Sequence, residues 1–149
     1  KRMQAEQWDA VITTNLSSVF YVTRPVWESM LEHGFGRIIN IASVNGQRGQ
    51  FGQTNYSAAK AGMHGFTMAL AQEGATKGIT VNTVSPGYVE TAMTAAMRED
   101  VRDAIVSGIP LGRMAKPEEI AAAVAFLAAD EQAYITGANV PVNGGLFIH

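Results

Sequence analysis

The chain has 149 residues, of which 47% are hydrophobic and 16% charged, a balance typical of a soluble globular domain with one core. Its formal net charge is −2 and both signs are interspersed, so the sequence lacks the basic patch that binds nucleic acid or an anionic membrane surface. It contains no cysteine, which excludes disulfides and thiol chemistry and is compatible with a reducing compartment.

Membrane and metal functions are also not predicted. No apolar run reaches the roughly 18 residues of a membrane helix, and the first residues do not resemble a signal peptide. We therefore expect a cytoplasmic protein, in which the glycosylation sequons at Asn15 and Asn55 are chance matches. The histidines at positions 33, 64 and 149 have no metal-ligand spacing, so no metal site is predicted.

The first half of the chain predicts two helices separated by a strand. Apolar residues recur at helical spacing from about Glu6 to His33, with a kink expected at Pro25. Residues 37–43 predict a short strand, and residues 44–55 have the glycine and polar composition of a loop. A second helix is predicted over residues 56–77, ended by Gly78.

The second half continues the alternation. Residues 79–85 predict a strand that ends at Pro86 and Gly87, and residues 88–114 predict a mixed region with one short helix. Pro117 and the glutamates after it begin a third helix, and residues 138–145 supply a third strand. Alternating helices and strands predict an α/β fold with a doubly wound parallel sheet.

Three groups of polar and glycine residues come at or just after the ends of the three predicted strands. They are Ser43, then Pro86 with Gly87, and finally residues 143–145, which read Asn-Gly-Gly. In sheets of this kind ligands bind beyond the carboxyl ends of the strands. We therefore expect all three groups to face one cleft.

Tyr56 and Lys60 are the first candidates for chemistry at that cleft. They are four residues apart, so both side chains project from one helix face about one turn apart. A free phenol has a pKa near 10, and a nearby ammonium in a partly dry cleft favours the phenolate, which makes proton transfer near neutral pH feasible. Ser43 could donate a hydrogen bond to a carbonyl oxygen that becomes an alkoxide. Taken singly, each residue, like Asn15 within its helix, is equally compatible with a structural role.

Together these motifs resemble the short-chain dehydrogenase/reductase family along essentially the whole chain. The family's Tyr-x-x-x-Lys is found as Tyr56 to Lys60, its serine as Ser43 and its helix asparagine as Asn15. The resemblance implies hydride transfer between a nicotinamide cofactor and a carbonyl or alcohol. It implies that Tyr56 is the acid, that Ser43 polarises the carbonyl, that Lys60 supports Tyr56 and binds the nicotinamide ribose, and that Asn15 anchors a relay water. It also implies cofactor contacts by Tyr56, Lys60, Asn40, Pro86, Gly87, Val89 and Thr91.

Within the family, the segment from Ser43 to Glu73 looks closer to the acetoacetyl-CoA reductases than to the generic pattern. The nearest rivals are the 3-oxoacyl-acyl-carrier-protein reductases. The resemblance implies an acyl-CoA thioester substrate, reduced to the (R)-3-hydroxyacyl product, with NADPH as cofactor and NADH not excluded. The candidate substrate contacts are Gln50, Phe51, Gln53 and Tyr88, although the glutamines are also compatible with a solvated loop.

Two further groups of residues have open interpretations. Met93, Met97 and Ile105 belong either to a mobile lid over the substrate or to the core, since methionine repacks easily around a flexible ligand. Arg98, Arg102 and Arg113 either meet coenzyme A phosphates or are simply solvated.

The family's glycine-rich phosphate turn is missing from this sequence. We therefore expect residues 1–149 to be the C-terminal catalytic part of one Rossmann-type reductase domain, whose N-terminal cofactor-binding half is the missing partner. The resemblance further implies a homotetramer. A second hypothesis, from a different class, is a non-catalytic assembly fragment that keeps the oligomer surfaces of such a reductase.

Overall fold

The computed structural model describes residues 2–148 and is built around a parallel sheet with strand order β1-β2-β3. The strands are β1 (Gly36–Ile41), β2 (Ile79–Pro86) and β3 (Asn139–Val142). Residues of β1 pair in register from Gly36 opposite Ile79 to Ile41 opposite Val84, and β3 begins opposite Thr83. The predicted α/β class and the three predicted parallel strands are confirmed.

Within the described residues, seven α-helices connect and flank these strands. They are α1 (Ala5–Ile12), α2 (Ser18–His33), α3 (Val44–Arg48), α4 (Thr54–Gly74), α5 (Ala92–Ala95), α6 (Glu99–Ser107) and α7 (Pro117–Ala128). A π-helical segment, Thr13–Ser17, joins α1 to α2, and 3-10 turns lie at Ala75–Lys77 and Asp130–Gln132.

The core lies on the face of the sheet that packs against α4 and α2. Ile79 and Val81 of β2 are almost fully buried against Ala71 of α4, with Trp27 of α2 packed beside them. A β-carbon added to Gly74 would lie 3.0 Å from both Ile79 and Trp27, so the glycine allows α4, α2 and β2 to approach closely. This packing fixes α4 over the sheet.

The opposite face of β2 is also buried, as expected for a central strand of a parallel sheet. Helix α7 contacts all three strands, and its Leu127 is 1% exposed. Asn82, also 1% exposed, donates to the Ile135 carbonyl and accepts from the Ala138 amide at 2.8 and 3.0 Å. These bonds tie the segment before β3 to β2.

The long first helix is in the predicted place but is not a regular α-helix throughout. The wider π turn at Thr13–Ser17 contains Asn15, whose side-chain amide donates to the Val11 carbonyl at 3.2 Å. Leu16 of this turn packs directly on Gly62 of α4, where an added β-carbon would lie 2.8 Å from the leucine. Hydrophobic periodicity does not detect a single extra residue in a turn, so the sequence did not predict this irregularity.

Two predictions about connecting segments were wrong. Residues 44–48, expected in a loop, form α3, because Ser43 caps its first turn and Gly49, at a φ of 73°, ends it. Residues 88–114, expected to hold one short helix, contain both α5 and α6. The first strand also ends at Ile41 rather than Ser43.

Neither a membrane span nor a metal centre is found within residues 2–148. None of the helices there has the length and apolarity that crossing a bilayer requires. No three metal-ligating side chains come together in this part of the chain.

Candidate functional site

Tyr56 and Lys60 lie in the first turns of α4, on the side that meets β1. The Lys60 ammonium is 5.6 Å from the centre of the Tyr56 ring, so the two groups face each other as the spacing predicted. Lys60 Nζ also donates to the Ile41 carbonyl at 2.8 Å and approaches the Met63 sulfur at 3.9 Å. The lysine is therefore fixed between α4 and the end of β1.

The Lys60 side chain carries its charge in a poorly solvated position. Lys60 is 9% exposed, and burial lowers its pKa from the ordinary 10.5 because it penalises the charged form. A carbonyl and a sulfur occupy two of its three N–H donors. This leaves one donor for a ligand.

Ser43 lies just beyond β1 and is the N-cap of α3. Its backbone is extended, with φ −166° and ψ 153°, and Oγ accepts from the Asn45 amide at 3.1 Å. Its O–H has no acceptor within residues 2–148. The hydroxyl is therefore available to donate a hydrogen bond toward the cavity.

Gly46 sets the distance between the serine and the tyrosine-lysine pair. An added β-carbon would lie 2.7 Å from the Lys60 carbonyl carbon and 2.9 Å from the Ala61 nitrogen, so α3 packs directly on the α4 backbone. Only glycine allows this approach. This role of Gly46 is not evident in the sequence, because a glycine between polar residues is also typical of a loop.

A cavity of about 640 Å³ brings the main candidates together. Ser43 and Tyr56 line one side, and Gly87, Val89 and Thr91 line the other. Of the predicted substrate contacts, Gln53 and Tyr88 also line it. Met93 and Met97 complete the wall, whereas Ile105 does not reach it, and Met93 is 78% exposed.

The turn after β2 is held by its own backbone and by β3. The Gly87 amide donates to the Val142 carbonyl at 2.9 Å, and an added β-carbon would lie 2.9 Å from the Asn143 Cα. Val89 bridges to Ala115, and the Val89 carbonyl accepts from the Thr94 hydroxyl at 2.9 Å. These bonds anchor Gly87 and Val89 to β3 and Ala115, whereas the residues from Thr91 onward are held by local caps.

Thr91 is the N-cap of α5 and is exposed. Its amide donates to the Thr94 hydroxyl at 2.8 Å, and its own Oγ1 accepts from the Thr94 amide at 3.4 Å. Pro86, the last residue of β2, does not line the cavity. The cofactor contact predicted for Thr91 thus depends on a hydroxyl that also caps a helix.

Several predicted site residues lie outside the cavity lining, among them Lys60, whose ammonium faces the Tyr56 ring. Phe51 is fully exposed, and Gln50 accepts from Arg48 at 3.4 Å. Asn40 is 7% exposed and donates to Thr67 at 2.8 Å. Asn15 lies in the π turn beside α4, as described above.

The third polar group, at the end of β3, does not join the same cavity. Asn143 and Gly144 line a smaller cavity of about 80 Å³, which shares Tyr88 with the main one. The Asn143 side chain is used locally, donating to the Phe147 carbonyl and accepting from the Gly145 amide. The expectation that all three groups face one cleft is therefore wrong for this group.

Two of the three arginines considered for phosphate binding are paired with carboxylates. Arg98 pairs with Asp100 at 2.6 Å, and Arg113 pairs with Glu119 at 2.7 Å through both guanidinium nitrogens. The Arg113 hydrogen bonds hold the pKa of Glu119 at about 2. Arg102 and Arg113 line another cavity, of about 700 Å³, between α5 and α6.

Asn45 is a residue of the main cavity that sequence reasoning missed. Its Nδ2 donates to Gln53 Oε1 at 3.0 Å, and its Oδ1 is buried without a hydrogen-bond partner within the described chain. An asparagine two residues after a predicted strand looks like any polar loop residue. Its place in the cavity depends on the packing of α3 against the turn that contains Gln53, which no local pattern shows.

Comparison with known proteins places this geometry in a family. Residues 1–147 match the family model described as Enoyl-(Acyl carrier protein) reductase, which is a short-chain dehydrogenase/reductase model. The chain is 76% identical over its whole length to the acetoacetyl-CoA reductase of Allochromatium vinosum, covering 61% of that protein. It is 61% identical over 98% of its length to the acetoacetyl-CoA reductase of Cupriavidus necator, covering 59% of it.

A relative with a different name is also similar. The 3-oxoacyl-[acyl-carrier-protein] reductase of Escherichia coli is 52% identical over 99% of this chain, which covers 60% of that relative. The chain thus spans about three fifths of the length of the curated relatives it matches. By its match to the family model along residues 1–147, the chain belongs to the short-chain dehydrogenase/reductase family.

Proposed function

We propose that this chain carries the proton-donating half of a nicotinamide-dependent reductase that acts on 3-oxoacyl thioesters, with acetoacetyl-CoA as the preferred substrate. The observation that carries the proposal is the meeting of Ser43, Tyr56 and the turn after β2 in one cavity, with Lys60 facing the Tyr56 ring. These groups supply a carbonyl-binding donor, an acid and a supporting cation.

The reaction requires a hydride on the carbonyl carbon and a proton on its oxygen. The dihydronicotinamide cofactor supplies the hydride when it is bound. Ser43 Oγ accepts from the Asn45 amide, so its own O–H donates to the substrate oxygen and stabilises the negative charge that develops there. The Tyr56 hydroxyl then gives its proton to that oxygen, and the product is an alcohol.

Lys60 supports this step electrostatically. Its ammonium, held by the Ile41 carbonyl, favours the phenolate that Tyr56 becomes after giving up its proton. The remaining Lys60 donor, next to Tyr56, suits a ribose hydroxyl. The turn at Val89 and the Thr91 hydroxyl, which line the cavity, suit an amide and phosphate oxygens. This set of donors is therefore chemically suited to a nicotinamide nucleotide. We propose NADPH as the cofactor. We assign the relay water to Asn15 and a ribose contact to Asn40.

The substrate class is supported by the cavity and by the relatives. Met93, Met97 and Val44 give it an apolar side, and Gln53 and Tyr88 add polar groups. The relatives at 76% and 61% identity are named acetoacetyl-CoA reductase, whereas the acyl-carrier-protein reductase of Escherichia coli is 52% identical. This order favours a coenzyme A thioester, and an acyl-carrier-protein thioester is the second candidate.

We also propose that the sheet continues beyond β1 in the intact protein. Within residues 2–148, β1 pairs only with β2, and Ile41 at its end is 42% exposed. An unpaired edge of this kind invites another strand. A preceding half-domain with a glycine-rich phosphate turn would fill it and complete the cofactor site.

Exposed apolar side chains on α2 support subunit association. Phe20 and Tyr21 are 50% and 61% exposed and their rings lie 5.8 Å apart in an edge contact, and exposed aromatic groups of this kind are typical of interaction surfaces. We assign this surface to contacts within a homotetramer. The assembly-fragment hypothesis would keep this surface without the reaction.

The decisive experiment measures oxidation of NADPH by the full-length protein with acetoacetyl-CoA, with an acetoacetyl thioester of acyl-carrier protein, and with NADH in place of NADPH. We expect the highest kcat/KM with NADPH and acetoacetyl-CoA. A preference for the carrier-protein thioester would support the second candidate instead. No reduction of any 3-oxoacyl thioester, together with no binding of NADPH, would overturn the proposal in favour of an assembly role.

A further inference from the structure

Asn45 lies between two polar side chains of the main cavity and bonds to both. Its backbone amide donates to Ser43 Oγ at 3.1 Å, and its side-chain amide donates to Gln53 Oε1 at 3.0 Å. Ser43, Asn45 and Gln53 all line the cavity. One residue therefore contacts both polar groups on this side of the substrate space.

Asn45 is the donor in both bonds, so Ser43 and Gln53 act as acceptors. Their own N–H and O–H groups remain available for a ligand. A serine hydroxyl that accepts from an N–H keeps its O–H to donate, and a glutamine whose Oε1 is occupied keeps its two Nε2–H donors. Ser43 and Gln53 thus offer hydrogen-bond donors to the cavity. A ligand that satisfies both must bring two acceptors.

No other bond fixes the orientation of the Gln53 amide. Within residues 2–148, Asn45 is the one hydrogen-bond partner of that side chain, and Gln53 is itself exposed. The preceding turn contains Gly49 and Gly52, both with positive φ, so the main chain there adopts conformations that few other residues tolerate. Asn45 closes this turn onto α3.

We propose that Asn45 is a positioning residue that sets the substrate specificity of the reductase by arranging two donors for a compound with two carbonyl oxygens. The inference rests on the proposed function and deepens it. Ser43 binds the ketone oxygen at the reacting carbon, and Gln53 Nε2 binds the thioester carbonyl oxygen two carbons away. A ketone without the second carbonyl meets only the first donor.

The buried Oδ1 of Asn45 agrees with this arrangement. It has no hydrogen-bond partner in the described chain, although buried acceptors are normally paired. Within the described chain, the Asn45 side chain is thus held by the hydrogen bond from its Nδ2 to Gln53 Oε1. An asparagine kept only for stability would be expected to use both ends of its amide.

The test is a double-mutant cycle on kcat/KM for acetoacetyl-CoA, measured with the full-length protein. Asn45→Ala keeps the backbone amide that bonds Ser43 and removes only the bond to Gln53. We expect Asn45→Ala and Gln53→Ala each to lower kcat/KM about 5- to 10-fold, the usual effect of one hydrogen bond. The double variant should lose no more than about twofold beyond Gln53→Ala, because Asn45 acts through Gln53.

Asn45→Asp is the second variant, since it preserves the shape of the side chain but cannot donate to Gln53 Oε1. It should lose at least as much as Asn45→Ala, because Gln53 must reverse its amide to bond an aspartate and then presents an acceptor. Gln47→Ala is the matched control: it removes another buried amide of α3 that lies outside the cavity lining. The fold-losses in kcat/KM of Gln47→Ala and Gln53→Ala should multiply in the double variant, because the two side chains act independently.

The outcomes separate this inference from the proposed function. Independent, multiplying losses for Asn45→Ala and Gln53→Ala, or no loss in Asn45→Ala and Asn45→Asp, would overturn the positioning role while the reductase assignment stands. A wild-type protein that reduces no 3-oxoacyl thioester would overturn both. Coupled losses confined to the Asn45 and Gln53 pair would support the inference.

Discussion

The two walls of the main cavity are built in different ways. The wall with Ser43 and Tyr56 is formed by α3 and the start of α4, and α4 packs along β2 through residues that are almost fully buried. The wall with Thr91, Met93 and Met97 belongs to short elements held by local caps, and Met93 is 78% exposed. The groups assigned to proton transfer thus lie on the rigid wall, and the groups facing the acyl chain lie on the adaptable one.

The two kinds of wall suit two different tasks. Proton transfer and carbonyl polarisation require donor–acceptor distances held to within a few tenths of an ångström, which a packed core maintains. An acyl chain needs apolar surface without a fixed register, which Met93 on α5 and Met97 just after it supply. Four experiments test whether the two walls differ in this way.

The largest effect is expected at the acid itself. Tyr56→Phe removes the proton donor and keeps the ring, so kcat for acetoacetyl-CoA should fall about 10²- to 10⁴-fold. The measurement is the absorbance of the reduced cofactor during turnover by the full-length protein. Tyr134→Phe, at a fully exposed tyrosine, is the control and should keep kcat within about twofold. A similar kcat in Tyr56→Phe and wild type would exclude Tyr56 as the acid.

The next effect tests the rigid wall. Gly46→Ala places a β-carbon 2.7 Å from the Lys60 backbone, so α3 must move away from α4. We expect the free energy of unfolding to fall by about 1–3 kcal/mol and the activity to fall with it. Denaturant titration measures the first and turnover the second.

Gly108→Ala is the matched control for Gly46→Ala. Its added β-carbon would lie 3.4 Å from the Ile105 carbonyl, an ordinary contact, at the end of α6. It should change the free energy of unfolding by no more than about 0.5 kcal/mol. Equal stability of Gly46→Ala and wild type would show that α3 is not fixed by this contact.

A smaller effect is expected on the adaptable wall. Met93→Ala removes an exposed side chain, so the free energy of unfolding should change by less than about 0.5 kcal/mol. The KM for acetoacetyl-CoA should nevertheless rise about two- to fivefold, because apolar surface facing the acyl chain is lost. Met68→Ala, at a methionine that is 52% exposed but outside the cavity, should change neither quantity. A KM that is unchanged in Met93→Ala would remove this methionine from the substrate site.

The smallest effect is expected for the ion pair between Arg113, in the segment before α7, and Glu119, in the first turn of α7. The pKa of Glu119 is lowered to about 2, so its pair with Arg113 stabilises the fold above the usual carboxyl pKa of 4.5 and is lost as the pH falls toward 2. Glu119→Gln should therefore have a lower Tm than wild type near neutral pH. The Tm difference should shrink between pH 4.5 and 2, as thermal unfolding at a series of pH values will show.

Salt and a neighbouring carboxylate provide the controls for the ion pair. The pair is solvent-exposed, so added salt should reduce the Tm difference at neutral pH. Glu118→Gln removes a charge from the same helical turn without removing an ion-pair partner found in residues 2–148. A Tm difference for Glu119→Gln that is independent of pH would show that the pair does not stabilise this segment.

Long periodic segments and motif spacing were the parts that the sequence predicted well. The central strand β2 is rich in β-branched residues, and α7 begins with Pro117 and two glutamates, so their type followed from local pattern. The facing of Tyr56 and Lys60 followed from four-residue spacing alone, and the structure confirms it. The short helix α3 was missed because a side-chain cap at Ser43, rather than periodicity, stabilises it, and residues 88–114 contain one helix more than predicted.

Local pattern was sufficient to predict the α/β class, the three parallel strands and the tyrosine-lysine pair, because each depends on residues close in the chain or on a buried run. Long-range packing, by contrast, places Asn143 outside the main cavity lining, brings Gly46 against Lys60, and lets Asn45 connect Ser43 with Gln53. These contacts join segments whose distance depends on how α3, α4 and β3 pack together. No local pattern encodes that distance, since the same polar and glycine residues are equally suited to an ordinary loop.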